Sequence, residues 1–130
     1  MCPESAASAA SPPTVVVVDD DAALLAALRF SLELDGLRVI THRSAETVSA
    51  SSLPPDNACL VLDYRLPGRD GLDLLTGLRN AGIDLPAILV TSHAGPAVRL
   101  GARSAGAVLL EKPLLGETLV NAIRKALGRS

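Results

Sequence analysis

Hydrophobic and polar positions follow two spacings in turn along this chain. Residues 14–18 are a β-branched run without polar alternation, the pattern of a central strand covered on both faces. Further short apolar runs at 37–41, 58–62, 86–90 and 107–110 predict four more strands. Between them the spacing becomes helical. Leu24, Leu25, Leu28 and Leu32 follow Asp21 and stop at Gly36, predicting a first helix. Ser44 offers an N-cap for a second helix to about Ser51, before Pro54-Pro55 break the chain. Asp70 caps a third, with a buried stripe of Leu72, Leu75 and Leu78 and an end near Gly82. Residues 96–104 predict a fourth helix, short or displaced because Gly95, Pro96 and Gly101 lie in or beside it. A fifth runs over 114–127 with Leu115, Leu119, Ala122, Ile123 and Ala126 on one face and Gly128 after it.

Strands alternating with helices specify an α/β fold, a parallel sheet with right-handed crossovers and helices on both faces. In such sheets ligands bind beyond the carboxyl ends of the strands, near the point where strand order reverses. That edge collects unusual residues in this chain: Asp19, Asp20 and Asp21 after the first strand, Asp63 directly after the third, Thr91 after the fourth and Lys112 just past the fifth. A charged carboxylate ending an apolar strand contributes nothing to that strand, so Asp63 reads as a reaction site.

Composition narrows the picture. At 130 residues the chain fits one domain, able to bury roughly two thirds of its unfolded surface without crosslinks. It is 48% hydrophobic but 2% aromatic, so Ala, Val, Leu and Ile must build the core. A net charge of -2 with dispersed basic residues gives no direct attraction for nucleic acid. Cys2 and Cys59 make no disulfide framework, which suits a reducing cytoplasm. Apolar runs fall far short of the roughly 20 residues needed to cross a bilayer. Residues 1–13, rich in Ala, Ser and Pro, read as a disordered leader, 14–128 as the domain and 129–130 as a tail.

Four segments in order, Val15 to Asp21, Leu60-Val-Leu-Asp63-Tyr-Arg-Leu-Pro-Gly68, Leu89-Val-Thr91-Ser and Glu111-Lys112-Pro113, resemble the response-regulator receiver domain of two-component signalling. Within that family the pattern is most similar to the nitrogen-fixation and nitrate-type regulators, over about residues 14–127. The resemblance implies a flavodoxin-like, doubly wound five-stranded sheet of order 2-1-3-4-5 with five helices. It implies that Asp63 accepts a phosphoryl group from a sensor histidine kinase or phosphotransfer protein. Mg2+ would be held by Asp63, Asp20, Asp19 through a water, and the backbone carbonyl of Arg65, with Asp21 as a helix-start acid. Lys112 and Thr91 would contact phosphoryl oxygens, and the face of the fourth helix, fifth strand and fifth helix would switch an output partner or effector. The Lys112–Pro113 peptide would be cis, and Arg65 and His93 would tune phosphoryl lifetime. His42 reads as a surface residue.

Departures accompany the resemblance. Leu109 and Leu114 stand where relatives carry aromatics, and the stretch from Thr91 to Lys112 is about a residue short. The implied function is a stand-alone receiver, monomeric or weakly dimeric, that catalyses only its own phosphotransfer and dephosphorylation. The alternatives are the regulatory half of a DNA-binding transcription factor and a phosphorylation-independent interaction module. A phosphatase using an aspartyl phosphate would need an acid where Arg65 stands.

Overall fold

The apolar runs form the strands of a single sheet: β1 (Thr14–Val18), β2 (Arg38–His42), β3 (Ala58–Asp63), β4 (Ala87–Thr91) and β5 (Ala107–Glu111). They lie in the order β2-β1-β3-β4-β5, every pair parallel. The computed structural model describes residues 12–114 and 117–128. The leader expected over 1–13 therefore falls outside the described residues as far as position 11, as do Cys2, Leu115 and the tail at 129–130. Pro13 is buried, and its carbonyl accepts from Arg38 N–H at 2.9 Å, extending the sheet's hydrogen bonding one residue ahead of β1.

β3 and β4 are buried throughout and β1 nearly so, as unbroken apolar runs require, whereas edge strands β2 and β5 alternate with solvent. The period-2 geometry of β1 divides the core into two layers. Val16 and Val18 join Leu60, Leu62 and Leu89 beneath α2 (Gly71–Asn80) and α3 (Pro96–Ser104). Val15 and Val17 join Cys59, Val61, Ile88 and Val90 beneath α1 (Ala22–Leu34) and α4 (Thr118–Ala126).

Local signals set the helix ends. Asp21 accepts from Leu24 N–H at 3.1 Å and Asp70 from Asp73 N–H at 2.7 Å, which satisfies orphan donors of α1 and α2. Gly36, at φ +86, takes the left-handed conformation that lets Leu37 N–H return to Leu32 O at 3.1 Å and close α1. That bond removes Leu37 from the strand, so β2 begins one residue later than its apolar pattern predicts. Pro86 has no N–H to give β4, which begins at Ala87.

The described residues form four α-helices, not the five expected. Where residues 44–51 predict a helix, the chain makes two 3-10 turns, Ala45–Thr47 and Ala50–Ser52. Hydroxyls compete for the backbone here: Thr47 donates to Ser44 O at 3.1 Å, Ser52 donates to Ser49 O at 2.8 Å and accepts from Ser49 N–H at 3.1 Å. Ala45, Val48 and Leu53 are the segment's buried apolar anchors, too few for a helical stripe.

α3 spans its predicted residues. Gly101 weakens it in isolation but serves packing, because a Cβ there would stand 2.4 Å from Leu72 Cδ2 of α2. The last helix begins at Thr118, so Leu114 precedes it. Among the described residues no helix is long and apolar enough to cross a membrane.

Candidate functional site

Parallel pairing in register aligns the carboxyl ends of the strands. Val18 is level with Leu62, Asp63 with Val90, and Thr91 with Glu111. Asp19, Asp63 and Thr91 thereby meet at the edge beside the β1–β3 reversal, where they are the buried polar side chains, with 5%, 7% and 2% exposure. Asp20 is exposed at the rim. Carboxylate oxygens of Asp19, Asp20 and Asp63 lie within 4.8 Å of one another. Lys112 reaches in from beyond β5, its Nζ 3.3 Å from Asp63 Oδ1 and 3.9 Å from Asp19 Oδ2.

One ammonium facing three carboxylates leaves the pocket short of positive charge. Burial raises the Asp19 carboxyl above its ordinary range, and the charges of Asp63 and Asp20 push the same way. The Asp21 N–H, which donates to Asp19 Oδ1 at 2.9 Å, and Lys112 offset this only in part. A cluster of hard oxygen donors with uncompensated negative charge fits a small divalent cation such as Mg2+.

Asp21 caps α1 and so has the helix-start role read from the sequence. Arg65 lies two residues past Asp63 with its side chain exposed, lining one shallow depression with Asp20, Tyr64 and Asp70. The Thr91 hydroxyl is engaged in its own loop, donating to His93 O at 3.1 Å and accepting from His93 N–H at 3.2 Å. Thr91 O accepts from Lys112 N–H at 2.7 Å, which links β4 to the lysine's backbone, and the Lys112–Pro113 peptide is cis. His93 is exposed. His42 is half-buried at the surface: its Nδ1 lies 2.8 Å from Thr47 Oγ1, and burial lowers its pKa.

Two residues given no role by sequence pattern belong to this edge. Glu111 accepts from Ala94 N–H and from Arg99 Nη2, each at 3.3 Å, while Arg99 Nε donates to Ala94 O at 3.1 Å. These contacts bind the β4–α3 loop to the residue preceding Lys112. Gly71 packs against the Asp63 backbone. The signals available were a glutamate beside the lysine and a glycine after a cap, both common by themselves. Leu109, in the position of the missing aromatic, packs half-buried against the α2–α3 layer.

A family model described as the response regulator receiver domain matches residues 15–124. The transcriptional regulatory protein FixJ of Azorhizobium caulinodans is 39% identical over 105 residues, covering 80% of this chain and 50% of that protein. The C4-dicarboxylate transport transcriptional regulatory protein DctD of Pseudomonas aeruginosa is 38% identical, over 80% of this chain and 23% of its own length. The solved structure of FixJ-N superposes with a TM-score of 0.79 at 32% identity, covering 92% of this chain and 97% of that one. A CheY-like receiver domain protein from Methanospirillum hungatei JF-1 superposes with a TM-score of 0.82 at 26% identity, over 91% and 95% of the two chains. The chain spans about half the length of the FixJ relatives it matches.

Proposed function

The chain belongs to the response-regulator receiver family, and from that membership we propose that it is a switch whose Asp63 accepts a phosphoryl group from a sensor histidine kinase or phosphotransfer protein. The observation that carries this is the Asp63 carboxylate, buried at a strand end with Lys112 Nζ 3.3 Å away and two further carboxylates beside it. When bound, Mg2+ would neutralise these carboxylates and the phosphoryl oxygens.

A carboxylate oxygen of Asp63 attacks phosphorus as the P–N bond of the phosphohistidine breaks, and the bonding pair returns to the imidazole nitrogen. Water later cleaves the acyl phosphate, releasing inorganic phosphate and restoring the carboxylate. Asp63, Asp20, Asp19 through a water and the Arg65 backbone carbonyl would hold the cation, with Asp20 as a direct ligand. Lys112, already paired with Asp63, keeps its charge and shifts its ion pair to the phosphoryl oxygens. Thr91 exchanges its two contacts with His93 for one of those oxygens and draws the β4–α3 loop with it. The α3–β5–α4 face then repacks toward a partner. Arg65 and His93 flank the phosphoryl group and tune its lifetime.

The chain is thus a signalling module of the cytoplasm, a monomer or weak homodimer, that turns over no external substrate and does not itself touch nucleic acid. A second reading, the regulatory part of a longer transcriptional regulator, is favoured by the names of FixJ and DctD and by the fraction of those proteins that this chain matches. The test is label transfer from an autophosphorylated histidine kinase core in the presence of Mg2+. Label is expected on wild type, absent from Asp63→Asn, and slowed by roughly 10²-fold in Lys112→Ala. Transfer to Asp63→Asn at the wild-type rate contradicts the proposal.

A further inference from the structure

Gly71 opens α2, a position where its backbone conformation does not call for glycine: its φ is not among the positive ones. What excludes a side chain is space. A Cβ at Gly71 would stand 2.3 Å from the Asp63 carbonyl oxygen, 3.0 Å from its carbon and 3.1 Å from Leu89 Cδ1. The obstacle is main chain of the phosphoacceptor itself and cannot rotate away.

The contact is also bonded. Gly71 N–H donates to Tyr64 O at 2.8 Å, and Tyr64 N–H donates to Val90 O at 2.7 Å. The Asp63–Tyr64 backbone is therefore held between β4 on one side and the first residue of α2 on the other. The intervening turn, which carries Arg65, leaves from this contact at Tyr64 and returns to it at Gly71.

We infer that Gly71 is a positioning residue for the phosphoacceptor pocket: by letting α2 rest directly on the Asp63 backbone, it fixes the turn that presents Arg65 and the direction of the Asp63 carboxylate. The inference rests on the reading of Asp63 and its neighbours as a cation-assisted phosphoryl acceptor, and it extends that reading to a residue that touches neither cation nor phosphoryl group. Gly101 provides an internal comparison. It is equally crowded, but by the flexible end of Leu72, and it lies on α3 beside the residues that precede β4 and β5, at the edge opposite the carboxylates.

Tyr64 adjoins Asp63, and the chain has 1 Tyr and 0 Trp, so tyrosine emission reports on this pocket alone. Mg2+ titrations of the full chain followed by that emission, with the thermal midpoint of each variant, test the inference. Gly71→Ala is expected to weaken Mg2+ affinity by about tenfold or more, as loss of a ligand's outer support does. Gly101→Ala is expected to keep wild-type affinity whatever its midpoint. Affinity unchanged in Gly71→Ala, or weakened equally in Gly101→Ala, overturns the inference.

Should Gly71→Ala fail to fold, Asp70→Ala loosens the same support without adding an atom, by removing the cap on Asp73 N–H. It is expected to weaken Mg2+ binding several-fold, with Asp70→Asn, which keeps a cap and removes the charge, restoring it. Wild-type affinity in Asp70→Ala overturns the inference. A wild type that does not respond to Mg2+ contradicts the receiver reading and this inference with it. A responsive wild type with an equally responsive Gly71→Ala contradicts this inference alone.

Discussion

Asp19 is held where its charge is poorly compensated. Because burial raises its carboxyl pKa, the folded chain holds that proton more tightly than the unfolded chain does. Its contribution to stability is complete below the unfolded carboxylate value and is lost as pH rises through the raised folded one. Once pH has risen through the folded value, the ionised group therefore destabilises the cation-free fold. Asp19→Asn is expected to raise the thermal midpoint without Mg2+ and to reduce the further rise that Mg2+ produces; a lower midpoint without Mg2+ contradicts this. Cys59 gives a second test. Burial pushes its thiol up to about 12, so in a Cys2→Ser background alkylation at pH 8 should proceed only as fast as the protein unfolds. Rapid labelling of the native chain contradicts its core position. Single positions were legible wherever chemistry and place in the pattern coincided, as for Asp63, Thr91 and Lys112 at strand ends. Gly71 and Glu111 were not, because each acts through atoms of another segment that no local spacing reveals.

Elements were legible where burial imposes a period. β1, β3 and β4 follow from unbroken apolar runs, and α1 and α2 from leucine spacing and caps. The failed element, the helix expected from Ser44, offered a cap residue but no stripe; Ser44 makes no side-chain cap, and hydroxyls took the backbone donors and acceptors instead. The start of β2 shifted by one residue because Leu37 N–H is taken by Leu32 O, and the last helix begins at Thr118 rather than at 114. Arg79 shows how α2 is tied to the sheet's other edge: it donates to Ala105 O at 2.8 Å, Ile83 O at 3.0 Å and Leu85 O at 2.7 Å. Arg79→Ala leaves those carbonyls without their charged donor and should cost about 2 kcal/mol in chemical denaturation. A loss under a few tenths contradicts that role. The Arg99–Glu111 pair, with side chains 59% and 50% exposed, is weaker, worth less than about 1 kcal/mol. Its place is informative all the same, since it holds the β4–α3 loop that Thr91 would draw inward. Glu111→Ala should therefore change stability little yet lengthen or shorten the acyl-phosphate lifetime measurably; an unchanged lifetime removes the loop clamp from the switching account.

At the scale of the whole molecule, strand order makes the site. The reversal between β1 and β3 opens a crevice at their carboxyl ends, and parallel register brings Asp19, Asp63, Thr91 and Lys112 to it from four strands. The edge was legible because alternating elements imply a parallel sheet, and the strand order came with the family resemblance; side-chain geometry, such as the Thr91 hydroxyl turned to His93, was not legible. Leu109 and Leu114 stand where the resemblance implies aromatics on the responding face, so in the proposed switch that face would move by loop and helix displacement. Moving such an equilibrium from 1:99 to 99:1 takes about 5.5 kcal/mol of differential binding, more than the loop's own contacts oppose. The central claim is that Asp63 is a cation-assisted phosphoryl acceptor. Its most direct test is the intact mass of wild type and Asp63→Asn after incubation with a small phosphodonor, with and without Mg2+. A single phosphoryl addition to wild type that needs Mg2+ and is absent from Asp63→Asn is the predicted result. No addition under any condition, or equal addition to Asp63→Asn, would contradict the account and favour an interaction module that works without phosphorylation.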